Sequence, residues 1–175
     1  MIMQKQQRVY YSYMTYNDLC IFIAATKEGL CYVSTQVQNE KEATEQIKKY
    51  INHFTLIAND DVTNQYSKAI LNYFTENRQS FDFPIDLHGT PFQKEVWQAL
   101  QTIPYGETAT YSEIAEKVGR PKAVRAVGSA IGKNPLLIVI PCHRVIRKNG
   151  DLSGFREGID LKKKLLQLEK IKNAF

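Results

Sequence analysis

The order of apolar and polar residues divides the chain into a strand-rich beginning and a helix-rich remainder. The segments "QRVYYSYM", "LCIFIAAT" and "GLCYVST" are rich in β-branched and aromatic residues, and turn-forming residues separate them. They predict a small antiparallel meander. Apolar residues then recur at helical spacing over residues 39–54 and 62–77, which predicts two helices. Residues 78–89 lack this period and contain Pro84, so we interpret them as a linker that includes an extended piece.

The pattern of the second half is mainly helical. Thr90 and Pro91 suit an N-cap and a first helical position, and they open a helix that continues to Ile103. Two short helices follow, over residues 110–119 and from Pro121 onward. A glycine-centred turn joins them, and such a pair predicts a helix-turn-helix.

The last third combines a short apolar run with a final helix. The run Leu136–Ile140 reads as a buried strand, and Pro141 ends it. Leucines at helical spacing over residues 158–175 predict the last helix, which carries Glu169. Together the elements predict an α+β protein: a small antiparallel sheet with helices, followed by a mostly helical domain.

Composition narrows the class of protein. The 175 residues suffice for one large domain or two small ones, and no apolar run is long enough to span a membrane. The N-terminus lacks the pattern of a signal peptide, so we expect a cytoplasmic protein. Three cysteines do not form a disulfide framework, and no CxxC or HxxxH pair indicates a metal site.

Charge is unevenly distributed along the chain. Residues 1–90 carry 8 Lys and Arg against 10 Asp and Glu, whereas residues 91–175 carry 15 against 8. The basic surplus of the second half fits a nucleic acid partner, and it equally fits ordinary solvation.

The segment "IPCHRVI" sets a thiol beside an imidazole. Cys142 becomes a nucleophile if a base or a positive environment stabilises its thiolate, and His143 is the nearest base. Adjacent strand residues point to opposite faces, so a tight turn at Pro141 or a bridging water must bring the two groups together. Glu169 and Asn134 are both candidates for a third group that orients the imidazole.

The helix after Pro121 has one long side chain among small ones. Arg125 stands in the run "AVRAVGSA". Small residues allow the helix backbone to approach another surface closely. That surface is either another helix of the same protein or a DNA groove into which Arg125 reaches.

Residues 90–169 as a whole resemble the O6-alkylguanine-DNA alkyltransferases, also called methylated-DNA–protein-cysteine methyltransferases. The similarity runs from "TPFQKEVWQALQTIPYGETATYSEIAEKVGRPKAVRAVGSAIGKNPLLIVIPCHRVI" to "KLLQLE", with order and spacing kept. It implies a ribonuclease H-like α+β domain over residues 1–85 and a winged helix-turn-helix-like DNA-binding and alkyl-acceptor domain over residues 86–175. The first domain matches the family weakly.

The resemblance implies roles for five catalytic residues. Cys142 takes the alkyl group from O6 of guanine in an irreversible, single-turnover transfer. His143 accepts the thiol proton, and Glu169 orients His143. Asn134 braces the turn beside the thiol, and Tyr111 donates a proton to the leaving guanine. No cofactor and no metal is expected.

The resemblance also implies how the lesion is reached. The implied partner is double-stranded DNA that contains O6-alkylguanine, with O4-alkylthymine as a second candidate lesion. The damaged base is flipped out of the stack. Arg125 fills the vacated space. The further DNA contacts implied are Ser112, Arg120, Lys122, Ala126 and Lys148. The residues implied to line the lesion pocket are Val145, Phe155 and Arg156. Without DNA the protein is expected to be a monomer.

The loop "SGFREG" departs from the family pattern. Phe155 stands where tyrosine is usual, and Arg156 and Glu157 stand where small or hydroxyl residues are usual. Bulky charged residues at this position predict lower tolerance for large O6 adducts, while methyl still fits.

Three other functions are compatible with parts of the pattern. A non-catalytic protein that binds alkylated DNA and recruits repair factors would lack Cys142, which is present. A helix-turn-helix regulator of this family would be longer and carry zinc-binding cysteines. A Cys-His hydrolase would need an oxyanion hole, and nothing in the sequence indicates one.

Overall fold

The computed structural model describes residues 6–76, 79–152 and 154–170. Ser153, in the loop singled out above, lies outside the described residues. So do Asn77 at the end of the second predicted helix, the first residue of the linker, and the part of the last predicted helix beyond Lys170.

The first part of the chain forms a four-stranded sheet. Its strands are β1 (Gln7–Tyr16), β2 (Leu19–Thr26), β3 (Gly29–Ser34) and β4 (Phe54–Ala58), in the order β3-β2-β1-β4. The predicted antiparallel meander is β1 to β3. The sheet is nevertheless mixed rather than antiparallel, because β4 pairs with β1 in parallel.

The first predicted helix is shorter than its apolar spacing indicates. Helix α1 covers Glu40–Ile47, and Phe54 begins β4 instead of ending the helix. His53 has a φ of 53°, which breaks the helical course before the strand. The open edge of β1 supplies backbone partners from Phe54 onward, and this pairing outweighs the local helical pattern.

Helix α2 (Asp60–Thr75) follows at once and is close to the prediction. The side chain of Asn59 accepts a hydrogen bond from the Val62 amide and caps its N-terminus. Its two faces differ in burial: Leu71 is 38% exposed, whereas Tyr73 is 1% exposed.

Both faces of the sheet are covered. On β2, Ile21 and Ile23 belong to the large core that includes α2, whereas Phe22 and Ala24 belong to a second cluster that includes α1. The two-residue period of a strand thus serves two cores.

The second part contains helices α3 (Pro91–Gln101), α4 (Tyr111–Lys117), α5 (Val124–Gly132) and α6 (Ile159–Leu168). Two-residue strands β5 (Ala109–Thr110) and β6 (Val145–Ile146) pair in parallel. The α+β class is confirmed, with helices dominating this part.

The helix boundaries agree with the predicted capping residues except at one point. Thr90 forms a capping box with Gln93 at the start of α3, as its position before Pro91 indicates. Helix α5, however, begins at Val124 and not at Pro121. Pro121 lies in the preceding turn, in which the Ala123 amide donates to the Arg120 carbonyl at 2.9 Å.

The prediction of a strand at Leu136–Ile140 is wrong. The run is fully buried, but its only ladder contact among the described residues is a single bridge between Leu136 and Val33 of β3. Ile138 has a φ of 71°, and the Ile140 amide donates to the Leu136 carbonyl at 2.9 Å. The run therefore forms a compact buried turn, which an apolar sequence cannot distinguish from a strand.

The edge of β3 joins the two parts of the chain. Ile85 of the linker bridges Leu30, which is the extended piece expected there, and Leu136 bridges Val33 further along the strand. The run before Cys142 is thereby fixed to the sheet of the first part. No helix in the described ranges is long and apolar enough to cross a membrane.

Candidate active site

Asn134 organises the turn that ends at Cys142. Its side-chain amide donates to the Ile140 carbonyl at 2.8 Å and to Cys142 Sγ at 3.1 Å, while its Oδ1 accepts from the Leu136 amide at 2.9 Å. Asn134 is 3% exposed, so it satisfies backbone groups that no strand ladder reaches. The same side chain holds the thiol.

Cys142 opens a short 3₁₀ turn, Cys142–Arg144, directly after Pro141. The thiol is 9% exposed. Burial raises its pKa, and the Asn134 hydrogen bond with the nearby positive charges of Arg156 and Lys162 opposes that rise. The predicted tight turn at Pro141 is therefore present, and it replaces the strand geometry that would have separated Cys142 from His143.

His143 is fully buried, and its two ring nitrogens have different surroundings. Nε2 lies 2.7 Å from Glu169 Oε1, and an ionised carboxylate only accepts, so Nε2 carries the proton. Nδ1 is buried and has no hydrogen-bond partner among the described residues. Burial lowers the pKa of His143 more than Glu169 raises it. The ring is thus a neutral base with its lone pair on Nδ1.

Glu169 is the C-cap of α6, and five donors surround its carboxylate. Arg144 donates from Nε at 2.9 Å and from Nη2 at 3.0 Å, and the Gly106 amide donates at 3.1 Å. His143 and the Tyr73 hydroxyl complete the set. Burial opposes ionisation, yet these hydrogen bonds lower the pKa of Glu169 to about 2. Arg144 also donates to the Ile103 carbonyl at 2.6 Å, so it links α6 to the segment after α3.

Two buried residues of the site were not predicted. Tyr73 donates its hydroxyl to Glu169 Oε1 at 2.6 Å, and Lys162 donates to the Val145 carbonyl at 2.6 Å. Burial lowers the pKa of Lys162 to about 8, against the attraction of the Cys142 thiolate. Its helical spacing to Leu165 and Leu166 was an available signal, because it places Lys162 on the apolar face of α6.

Tyr111 begins α4 and lies close to the thiol. A Cβ built on Gly128 of α5 would meet the Tyr111 ring at 3.6 Å, and one built on Gly154 would meet its hydroxyl at 3.4 Å. Burial, and then the charge of a Cys142 thiolate, raises the pKa of Tyr111. The glycines thus leave space for the ring between α5 and the loop.

A cavity of about 10 Å³ adjoins Cys142, roughly the space of one water. Phe155 and Arg156, both predicted to line the lesion pocket, are among its walls. Val145 is not: its side chain lies in the large core, and its carbonyl accepts from Lys162.

The charges of the unusual loop point toward the first part of the chain. The Arg156 guanidinium lies 5.6 Å from the centre of the Tyr32 ring. The Glu157 carboxylate accepts from Ser34 Oγ at 2.9 Å, the Thr35 amide at 2.9 Å and Thr35 Oγ1 at 2.6 Å. Arg156 also donates to Glu157 at 2.8 Å. The loop is tied to the end of β3.

The residues predicted to contact DNA lie on α4 and α5, in the turn between these helices and in the segment after β6. The exposed members of this set are Arg120, Lys122, Arg125, Ala126 and Lys148, and Ser112 is half-buried. Arg120 is already engaged, because it pairs with Glu95 at 2.9 Å and lies over the Phe92 ring. The C-terminal end of α5, at Ile131 and Gly132, borders the cavity beside Cys142.

Thiols and metal ligands are sparse elsewhere. Cys20, Cys31 and Cys142 are free thiols. Burial raises the pKa of Cys31 well above that of an ordinary thiol. Within the part of the chain that the structure describes, no three His, Cys, Asp or Glu side chains are placed to hold a metal ion.

Two family models match consecutive parts of the chain. The 6-O-methylguanine DNA methyltransferase ribonuclease-like domain matches residues 9–87, and the DNA-binding domain of the same family matches residues 91–171.

Curated relatives and solved structures agree with these matches. The inducible methylated-DNA–protein-cysteine methyltransferase of Bacillus subtilis is 44% identical over 93% of this chain and 90% of its own. The Methanosarcina acetivorans methylated-DNA–protein-cysteine methyltransferase is 43% identical over 85% of this chain and 90% of its own.

The crystal structure of Mycobacterium tuberculosis O6-methylguanine methyltransferase has a TM-score of 0.78 at 38% identity, over 93% of each chain. A structure of the M. tuberculosis protein in complex with DNA has a TM-score of 0.74 at 36% identity, over 95% of this chain and 96% of that one. Together with the two family models, these similarities show that the chain belongs to the 6-O-methylguanine DNA methyltransferase family.

Proposed function

We propose that this protein repairs DNA by moving the alkyl group of O6-alkylguanine onto its own Cys142. The observation that carries the proposal is a pair of buried contacts on adjacent residues: Asn134 donates to the Cys142 thiol, and His143 Nε2 donates to Glu169, which leaves Nδ1 without a hydrogen-bond partner among the described residues. The relatives named for methylated DNA and for transfer to a protein cysteine support the same chemistry.

The proposed step balances as a displacement at saturated carbon. The Cys142 thiol gives its proton to His143 Nδ1, through a bridging water, and Glu169 stabilises the imidazolium. The thiolate sulfur bonds to the alkyl carbon, the carbon–O6 bond breaks, and its electron pair leaves with guanine. Tyr111 supplies a proton to the departing base, and the proton held by His143 then passes through water to the Tyr111 phenolate, so that both residues end neutral. The thioether is stable, so each chain acts once.

The damaged base must leave the duplex to reach a thiol that is only 9% exposed. We propose that the Arg125 side chain fills the space that the flipped base leaves in the stack. The small side chain of Ala126 lets α5 approach the minor groove closely. Ser112, Lys122 and Lys148 are the proposed phosphate contacts, with Arg120 after it exchanges Glu95 for a phosphate. We propose that Phe155 and Arg156 contact the alkyl group. Val145 does not line the pocket, and its carbonyl accepts the hydrogen bond from Lys162.

The test is the intact mass of the protein after incubation with excess duplex DNA that contains one O6-methylguanine. We expect a gain of one methylene equivalent per chain, on the peptide of Cys142, and none in Cys142→Ala. Tight lesion binding without a mass gain would instead support the non-catalytic, recruiting function.

Two further proposals concern the state of the protein. We place it in the cytoplasm, because a reducing compartment keeps a reactive thiol free. We also propose that it is a monomer without DNA, which sedimentation at several protein concentrations tests.

A further inference from the structure

Tyr73 brings a group from the first part of the chain into the active site. It lies on α2, is 1% exposed, and presents its ring edge-on to His143, with 6.4 Å between the ring centres. Its hydroxyl oxygen is 2.6 Å from Glu169 Oε1 and 3.4 Å from His143 Nε2. The mechanism above does not use this hydroxyl.

The protons around Glu169 can be assigned from the donor types. Tyr73 has one hydroxyl proton, and the short contact assigns it to Glu169 Oε1. Burial and the adjacent carboxylate both raise the pKa of Tyr73, so the hydroxyl stays protonated. The Nε2 proton of His143 must also point to Oε1, which leaves the lone pair on Nδ1, the side proposed to accept the thiol proton.

Three donors therefore share the carboxylate oxygen that stabilises the imidazolium: the Tyr73 hydroxyl, His143 Nε2 and Arg144 Nη2. A hydroxyl on Oε1 draws negative charge away from the His143 contact and limits how strongly Glu169 favours the protonated ring. The positive charges of Arg144 and Lys162 also act on His143 and disfavour imidazolium. Tyr105 also lies close enough to feel the Glu169 charge.

We propose that Tyr73 is a positioning residue that fixes Glu169 Oε1 and, through it, the tautomer and the basicity of His143. The inference rests on the proposed alkyl transfer for its kinetic consequence. The predicted effect of Tyr73 on the protonation of His143 rests on the observed contacts alone. The kinetic effect and the effect on the imidazole can therefore be tested separately.

The experiment compares Tyr73→Phe with wild type by two measurements. The first is the single-turnover rate of methyl transfer from O6-methylguanine DNA between pH 5.5 and 9. Without the hydroxyl, Glu169 favours imidazolium more strongly. We therefore expect the pH at which the rate falls on the acidic side of the profile to rise by about 0.5 to 1 pH unit. The rate on that side should drop roughly three- to tenfold, with little change at high pH.

The second measurement is an NMR titration of the imidazole nitrogens, which needs no DNA. His143 is distinguished from His53 and His88 by substitution of each. We expect the Nε2-protonated tautomer in wild type, and a higher imidazole pKa in Tyr73→Phe. If wild type failed to transfer methyl, the proposed function would fail, while this titration would still decide the role of Tyr73.

Tyr66→Phe is the matched control, because it removes the same atom from a buried tyrosine of the same helix outside the site. It should leave both profiles unchanged. In a Glu169→Gln background, Tyr73→Phe should add no further shift. A loss of unfolding stability in Tyr73→Phe with neither shift would overturn the proposal, and so would an undiminished shift in the Glu169→Gln background.

Discussion

At the scale of single residues, Lys162 shows how burial and charge can serve one reaction. Its ammonium group is almost fully buried and hydrogen-bonded to the Val145 carbonyl, and its positive charge lowers the pKa of Cys142. Burial of an ammonium group destabilises the folded state unless hydrogen bonds or opposite charges compensate it. We interpret Lys162 as a support for the Cys142 thiolate.

We predict that Lys162→Met slows methyl transfer by up to about tenfold at pH 7, because the thiolate loses a nearby positive charge. Wild-type Lys162 itself loses its proton as the pH rises through about 8. The ratio of wild-type to variant rates should therefore fall toward one above that pH. Single-turnover rates from pH 6.5 to 9.5 measure it.

Lys164→Met is the control for this prediction. Lys164 lies on the same helix but is exposed, and it pairs with Asp18 at 3.2 Å. Its replacement should leave the rate unchanged at every pH. A ratio for Lys162→Met that stays constant from pH 6.5 to 9.5 would contradict the electrostatic interpretation.

The individual residues of the site were also the most predictable part of the protein. The resemblance over residues 90–169 pointed to Cys142, His143, Glu169 and Asn134, and the structure brings these four together. Tyr73 was missed because it lies outside the matched segment, and a buried tyrosine on an amphipathic helix is an ordinary core residue by its spacing.

At the scale of elements, the loop Gly154–Glu157 determines how much space adjoins the thiol. The cavity holds about one water, at about 10 Å³, and Arg156 and Glu157 form part of its wall. Hydrogen bonds from Ser34 and Thr35 to Glu157 hold the loop in place. A larger adduct therefore requires more displacement of this wall than a methyl group does.

We predict that wild type reacts much more slowly with O6-benzylguanine than with O6-methylguanine in DNA. Glu157→Gly removes the carboxylate that anchors the loop, so the benzyl-to-methyl rate ratio should rise at least about tenfold. Competition between the two substrates, read by the mass of the Cys142 peptide, measures the ratio. Asp151→Asn, an exposed charge paired with Arg147, should not change it. Equal wild-type rates for both substrates would contradict the prediction.

Elements were predicted well where local signals dominate and poorly where distant partners decide. The N-cap at Thr90 depends only on neighbouring residues, and it was anticipated. Strand β4 depends on the free edge of β1, and the buried turn Leu136–Ile140 depends on Val33 and Asn134. The spacing of apolar residues along the chain does not indicate which distant residues will pair with a segment.

At the scale of the whole molecule, the basic surplus lies in the half that carries α4 and α5. Residues 91–175 hold 15 Lys and Arg against 8 Asp and Glu. Phosphate contacts release counterions, so binding to duplex DNA should weaken as salt increases. If the proposed contacts are to phosphates and not to bases, the salt dependence should be the same for different sequences.

We predict that Lys122→Ala reduces the slope of log affinity against log salt by about one, as expected for one lost phosphate contact. Lys41→Ala removes the same charge from an exposed position of α1 in the first part of the chain. That variant should keep the wild-type slope. Fluorescence anisotropy with an undamaged duplex at several salt concentrations measures both, and equal slopes for the two variants would rule out the proposed contact.

The contacts between the two halves of the chain also determine when the acceptor site can form during folding. Tyr73 and Glu169 are 96 residues apart, and Ser34 and Glu157 are 123 apart. Loops of this length close late, after local helices and hairpins have formed. Because Glu169 follows Cys142 by 27 residues, we expect a chain still leaving the ribosome to expose Cys142 before the Glu169 contacts can form. We therefore expect the protein to accept an alkyl group only after both halves of the chain have folded together.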